Sequence, residues 1–172
     1  MNITTRFCRG PGKNRVCLPR ALKASVRVFR ISDYDAVLAL WQGTKGVGLN
    51  ESDTRPAIMA YLQRNPRLSL VAEADGQIVG AILCGHDGRR GYLHHLAVSK
   101  PHRRCGLGRR LVETCLANLR QAGIPKCNIF IFADNAEGMK FWARTGWRLR
   151  KELRLMQVQL GGPRRAVPAR TC

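Results

Sequence analysis

Apolar and polar residues alternate over Val26-Arg27-Val28-Phe29-Arg30, which predicts a half-buried first strand. After Ser32-Asp33 the spacing becomes helical, with Ala36, Val37, Leu40 and Trp41 along one stripe and the Ser-Asp pair as its cap. Ser52-Asp53 opens a second helix, with Pro56 in its first turn and Ile58, Tyr61 and Leu62 as its apolar stripe. Residues 43–50 are the Gly-containing loop between the two helices. Residues 68–73 read as a strand, Asp75-Gly76 as a tight hairpin turn and residues 77–84 as the returning strand. A second turn at Asp87-Gly88-Arg89-Arg90 leads into a strand over 91–99. Leu111, Val112, Cys115, Leu116 and Leu119 then mark a helix over 108–122, stopped by Gly123. A strand over 124–132, a helix opening at Asn135 and two short strands within 147–160 complete the pattern. Hairpins followed by strand–helix–strand units predict an α+β domain on a mixed, mostly antiparallel sheet of six to seven strands.

Residues 25–160 form this domain, with a basic extension at 1–24 and a basic tail at 161–172 outside it. A chain of 172 residues suits one domain with a sizeable core. Its 45% hydrophobic and 24% charged residues are those of a globular protein. No apolar run approaches the ~18 residues of a membrane span, so no membrane partner is expected. The net charge of +19 is the strongest deviation. Residues 1–30 hold eight Lys or Arg and no acid, and the tail adds Arg164, Arg165 and Arg170. A solvated basic surface explains this most simply. A nucleic-acid or ribosome contact through the basic ends is the sharper but less favoured reading. The seven cysteines contain no C-x-x-C pair and resemble neither a disulfide framework nor a zinc site. Reduced thiols in the cytoplasm fit them, and no metal is expected.

Candidate chemistry concentrates in Leu96-Ala97-Val98-Ser99-Lys100-Pro101-His102-Arg103-Arg104-Cys105-Gly106-Leu107-Gly108-Arg109-Arg110-Leu111. A strand, a Pro-marked turn, an Arg-rich glycine loop and a helix start follow one another directly. The glycines admit close approach of a bulky anion, and the first helical amides carry no intrahelical partner. A diphosphate suits such a helix start. It is not a Walker loop, because Arg109-Arg110 stands where Lys-Ser/Thr is needed, nor a dinucleotide fingerprint, because position 111 is Leu.

Leu-x-Val followed by Arg-x-x-Gly-x-Gly resembles the acetyl-CoA signature of the GNAT superfamily of N-acetyltransferases. Asn135-Ala136-Glu137-Gly138-Met139-Lys140-Phe141-Trp142-Ala143-Arg144-Thr145-Gly146-Trp147 is similar to that family's Asn-x-x-Ala-x-x-x-Tyr-x-x-x-Gly-Phe segment. The resemblance, closest to small single-domain bacterial-type members, covers roughly residues 26–160. It implies α/β/α layers and a parallel strand pair splayed to admit the pantetheine arm. It further implies that the Leu96 amide polarises the thioester carbonyl and that Ala97 and Val98 lie along the arm. Arg103, Arg104, Cys105, Gly106, Leu107, Gly108 and Arg109 would surround the diphosphate. Asn135 would contact the pantetheine, and Trp142 would line the acetyl channel. The implied activity is transfer of an acetyl group from acetyl-CoA to a primary amine of a small molecule, peptide N-terminus or lysine, by direct attack in a ternary complex. A monomer or homodimer is expected.

Two departures bear on catalysis. Trp142 replaces the family's Tyr, and an indole N–H is far too weak an acid to protonate a leaving thiolate. No Glu occupies the places where relatives carry a base: those positions are Tyr92 and Phe130. His94 and His95 lie beside the expected acetyl site, and imidazole suits a proton relay. Neighbouring strand residues face opposite ways, so at most one points into the site unless a bulge intervenes. His94, sharing a face with Tyr92, is the candidate base, with Glu73 second. Two other classes remain: a CoA-binding regulatory module without activity, supported by the missing Tyr, and a basic nucleic-acid-binding protein using 102–110 as its patch.

Overall fold

A computed structural model describes residues 24–160. Expectations for residues 1–23 and 161–172 lie outside the described residues. Five strands form one sheet in the order β1 (Ser25–Val28), β2 (Leu70–Ala74), β3 (Gln77–His86), β4 (Gly91–Val98) and β5 (Cys127–Ile129). The first three pairings are antiparallel, and β4 with β5 is parallel. Helices α1 (Tyr34–Gln42) and α2 (Arg55–Arg64) follow β1, α3 (Leu107–Gln121) follows β4, and α4 (Ala136–Arg144) follows β5.

The alternation of β-strand side chains divides the core into two faces. On one, Val37 and Trp41 of α1 and Ile58 of α2 pack on Val71, Ala81 and Leu83. On the other, Leu111, Val112, Cys115 and Leu119 of α3 pack on Ala72, Ile82, Cys84 and Leu93. Phe141 and Trp142 of α4 join that second face. The expected α/β/α layering is therefore present. Gly91 is required by the second face: a Cβ there would lie 2.6 Å from a Leu119 methyl.

The sheet has fewer strands than the six to seven expected. The strand expected over 124–132 contracts to Cys127–Ile129. Pro125 has no amide to give a ladder, and Phe130 and Phe132 turn out to solvent. Residues 147–160 form no strand despite their alternation, because period alone does not satisfy a backbone and no neighbouring edge takes them. Leu149, Leu153 and Leu155 consequently stand exposed. Ala24, counted with the basic extension, instead belongs to the core: its methyl is buried and its carbonyl accepts from Arg110 Nη1 at 2.9 Å.

Candidate functional site

The β4–β5 ladder ends after Gly91–Cys127, Tyr92–Asn128 and Leu93–Ile129. Beyond that point the strands separate around a cleft of about 790 Å³. Leu96 and Val98 line it from β4, Phe130 and Ile131 from the chain after β5, and Gly106 and Gly108 close one end. Backbone groups facing such a gap need a partner that the sheet does not supply. The loop at that end is built by two left-handed residues, Arg104 (φ 65°) and Gly106 (φ 81°), the latter capping α3. The first intrahelical bond there runs from Arg110 N to Gly106 O at 2.9 Å, which leaves the preceding amides of the turn pointing out of the helix end. Arg103 Nε donates to the Val98 carbonyl at 2.7 Å and ties the loop to the end of β4. Arg109 is engaged at its Nε by Glu113, one turn on. Cys105 Sγ lies 3.5 Å from the Arg103 carbonyl, and Ala97 points into the α1 face rather than the cleft.

The other wall departs from simple alternation. Leu83 pairs with His94 and Ala81 with Ala97, so Ile82 alone faces both His95 and Leu96. This is a β-bulge, and His95 carries it at φ 52°, a left-handed conformation that costs a non-glycine residue about 1–2 kcal/mol. The extra residue puts both imidazoles on the α1–α2 face: the rings of Trp41 and His95 meet edge to face at 5.0 Å, and Tyr61 meets His94 at 6.4 Å. The restriction to a single inward histidine is thereby lifted. His94 also has near-parallel neighbours in Tyr92 (6.3 Å) and Phe130 (6.1 Å). Burial, then the charge of His95, lowers its pKa from the ordinary 6.5, while Asp53 opposes them.

His95 Nε2 lies 2.6 Å from Asp53 Oδ1. Asp53 is buried, and its Oδ2 accepts from Asn50 N at 2.9 Å. The Asp53 carbonyl accepts from the Tyr34 hydroxyl at 2.9 Å. The short helical turn Glu51–Asp53 thus fixes one carboxylate against the bulge. In the sequence Asp53 stood only as a helix opener. Helix α2 begins later, at Arg55, which frees Asp53 for this contact. No local pattern could have revealed a pair separated by forty-two positions.

Asn135 lines the cleft, and its Oδ1 also caps α4 by accepting from Gly138 N at 2.9 Å. Trp142 lines the same wall and meets Trp147 edge to face at 5.0 Å. Glu73 is not brought in: it pairs with Arg27 at 2.8 Å on β2, two strands away. The α1–α2 loop reaches across to the opposite wall. A Cβ on Gly48 would fall 2.6 Å from the Phe132 ring, and one on Gly46 would fall 2.3 Å from Asn135 Nδ2. Among the described residues no group of three metal-type ligands gathers, and no helix is long and apolar enough to cross a membrane.

A mixed sheet opened beside a glycine-capped helix start defines an α+β class with a cleft between two parallel strands, and comparison with known proteins makes the class specific. The acetyltransferase (GNAT) family model matches residues 34–147. An acetyltransferase of Sodalis glossinidius is 30% identical over 135 residues, spanning 78% of this chain and 94% of that one. Ard1 of Thermoplasma volcanium shares the fold with a TM-score of 0.66 at 21% identity, over 74% of this chain and 84% of its own. The PaiA N-acetyltransferase of Thermoplasma acidophilum, solved with coenzyme A, gives 0.63 at 16% identity, over 74% and 91%. The chain belongs to the GNAT family of acetyltransferases.

Proposed function

We propose that this protein transfers an acetyl group from acetyl-CoA to a primary amine, of a small molecule, a peptide N-terminus or a lysine, by direct attack within a ternary complex in the cytoplasm. The observation carrying this reading is the termination of the β4–β5 ladder beside the start of α3. The gap exposes strand backbone where a pantetheine arm can substitute for the missing strand. The α3 amides, with Arg104 and Arg109 beside them, meet a diphosphate at the same end. That a structural neighbour was solved with coenzyme A supports the choice of ligand.

Acetyl-CoA supplies the activated thioester; the rest of the chemistry belongs to the chain. The Leu96 amide, just after the bulge, donates to the thioester oxygen as charge develops there. Val98 and Asn135 hold the arm, and Gly106 and Gly108 keep Cβ atoms out of the diphosphate's way. The imidazoles of His94 and His95 stand on the acceptor side to take the ammonium proton. Trp142 bounds the channel, and the thiolate departs without a phenol to protonate it. Holding amine and thioester together supplies much of the acceleration.

The test is thiol release from acetyl-CoA over a broad amine panel, alongside calorimetric titration of CoA on the wild type and Gly106→Glu. Turnover on some amine, with CoA binding lost in the variant, supports the transferase. Binding without turnover favours a regulatory CoA module. Absence of binding overturns the reading in favour of a basic nucleic-acid-binding surface.

A further inference from the structure

We propose that His95, its Nε2–H held by the buried carboxylate of Asp53, takes the acceptor's ammonium proton at Nδ1. This assignment rests on the transferase reading and deepens it. Three observations carry it. An ionised carboxylate only accepts, so the 2.6 Å contact puts a ring proton on Nε2 and, in the neutral imidazole, leaves the lone pair on Nδ1. Among the described residues Nδ1 has no hydrogen-bond partner. His95 is among the residues lining the cleft and directly precedes Leu96, whose amide is assigned above to the thioester oxygen.

The bulge gives the arrangement its meaning. His95 adopts a left-handed backbone at a position where any glycine would be more comfortable. The strain turns its ring to the α1–α2 face, where Asp53 and Trp41 hold it. His94, its neighbour, lies among Tyr61, Tyr92 and Phe130, and among the described residues no hydrogen bond selects its tautomer. Its ring walls the acceptor site, while the anchored ring of His95 moves the proton. Asp53 is a positioning residue: it never meets the amine, but fixes the tautomer and balances the imidazolium that forms. Beside Asp53, the titratable or charged groups nearby are His94 on β4, whose ring lies 6.4 Å from that of His95, Tyr61 on α2, which meets His94, and Lys45 on the α1–α2 loop, which lines the same cleft.

The proton inventory closes. The ammonium gives one proton to Nδ1, and the free amine forms a C–N bond to the acetyl carbon as the C–S bond breaks. The second proton shed by nitrogen ends on the departing sulfur, and His95 returns its proton to solvent.

The test compares wild type, His95→Gln and Asp53→Asn on the best acceptor from the amine panel. The His95→Gln side chain retains an N–H for Asp53 and so preserves the tether while removing the base. The kcat of this variant should fall at least about 100-fold, the usual scale of general-base loss. Its KM for acetyl-CoA should stay unchanged, and the ascending limb of kcat/KM against pH should move up to follow ionisation of the acceptor amine itself. Asp53→Asn should lower kcat in the same direction. Long-range 15N–1H spectra of 15N-labelled wild type should show His95 protonated at Nε2, with that preference lost in Asp53→Asn. A His95→Gln enzyme with kcat within threefold of wild type and an unmoved limb would overturn the proposal, as would an Nδ1–H tautomer in the wild type. The spectra decide this even where a variant does not fold. A wild type that releases no thiol with any amine overturns the transferase reading instead.

Discussion

The two walls of the cleft are built in opposite ways. The α3 end works through backbone: amides at a helix start, a left-handed Gly106, and an uncommitted strand edge from His94 to Val98. The acceptor wall works through side chains gathered from distant places, with Asp53 on the α1–α2 connection, Trp41 on α1 and His95 on β4. Backbone sites depend on conformation and tolerate changes of side chain. Side-chain sites depend on identity and on long-range placement. The contrast teaches where each kind of substitution should act.

The largest effect expected is at Gly106, where φ is 81°. Gly106→Val cannot keep that conformation without strain and should re-aim the amides. Losing two charge-assisted hydrogen bonds at about 1.5–3 kcal/mol each corresponds to about 100-fold or more in CoA affinity. Calorimetry checks it, and unchanged affinity would break the contrast. Next comes the acceptor side. Gly48→Val drives a side chain towards the Phe132 ring, 2.6 Å from the ideal Cβ position. Overpacking of about 1–3 kcal/mol should displace the loop and raise the acceptor KM about tenfold, with the CoA Kd unmoved. Steady-state kinetics against both substrates separates these. Trp142→Tyr supplies a phenol at the channel wall and should raise kcat severalfold if protonation of the leaving thiolate limits turnover.

The smallest effect is on stability. Burial, followed by the charge of His95, holds His94 below its ordinary pKa of 6.5. A depressed folded-state pKa gives stability that is present above the unfolded value and lost as pH falls through the folded one. The Tm of wild type should therefore drop between about pH 6.5 and more acidic values. His94→Phe should remove that portion of the drop, as thermal melts across the range would show.

The same contrast explains what the sequence disclosed. The glycine loop, the cap at Asn135 and the stripe of α3 are local patterns with local causes, and the structure reproduces them to within a residue or two. The layering and the parallel pair were legible too. The pairing of Asp53 with His95 was not, because a bulge at a histidine leaves no mark in composition or period. The strands expected within 147–160 failed for the converse reason. Their alternation is real, but pairing requires an edge, and β5 is only three residues long. Glu73 looked available as a base until Arg27 claimed it.

The bulge also has a consequence for descent. With His95 deleted, the remaining residues of β4 alternate cleanly: Leu93 and Leu96 keep the α3 face, while His94 and Ala97 keep the opposite one. Adding a single codon at this point therefore leaves the phase of the pleat intact on both sides. Most one-residue insertions in a central strand would turn half of its apolar residues outward. This one contributes a new ring to the site and disturbs no other side chain's facing. A lineage could acquire or discard it in one step, trying new acceptor chemistry without having to rebuild the core.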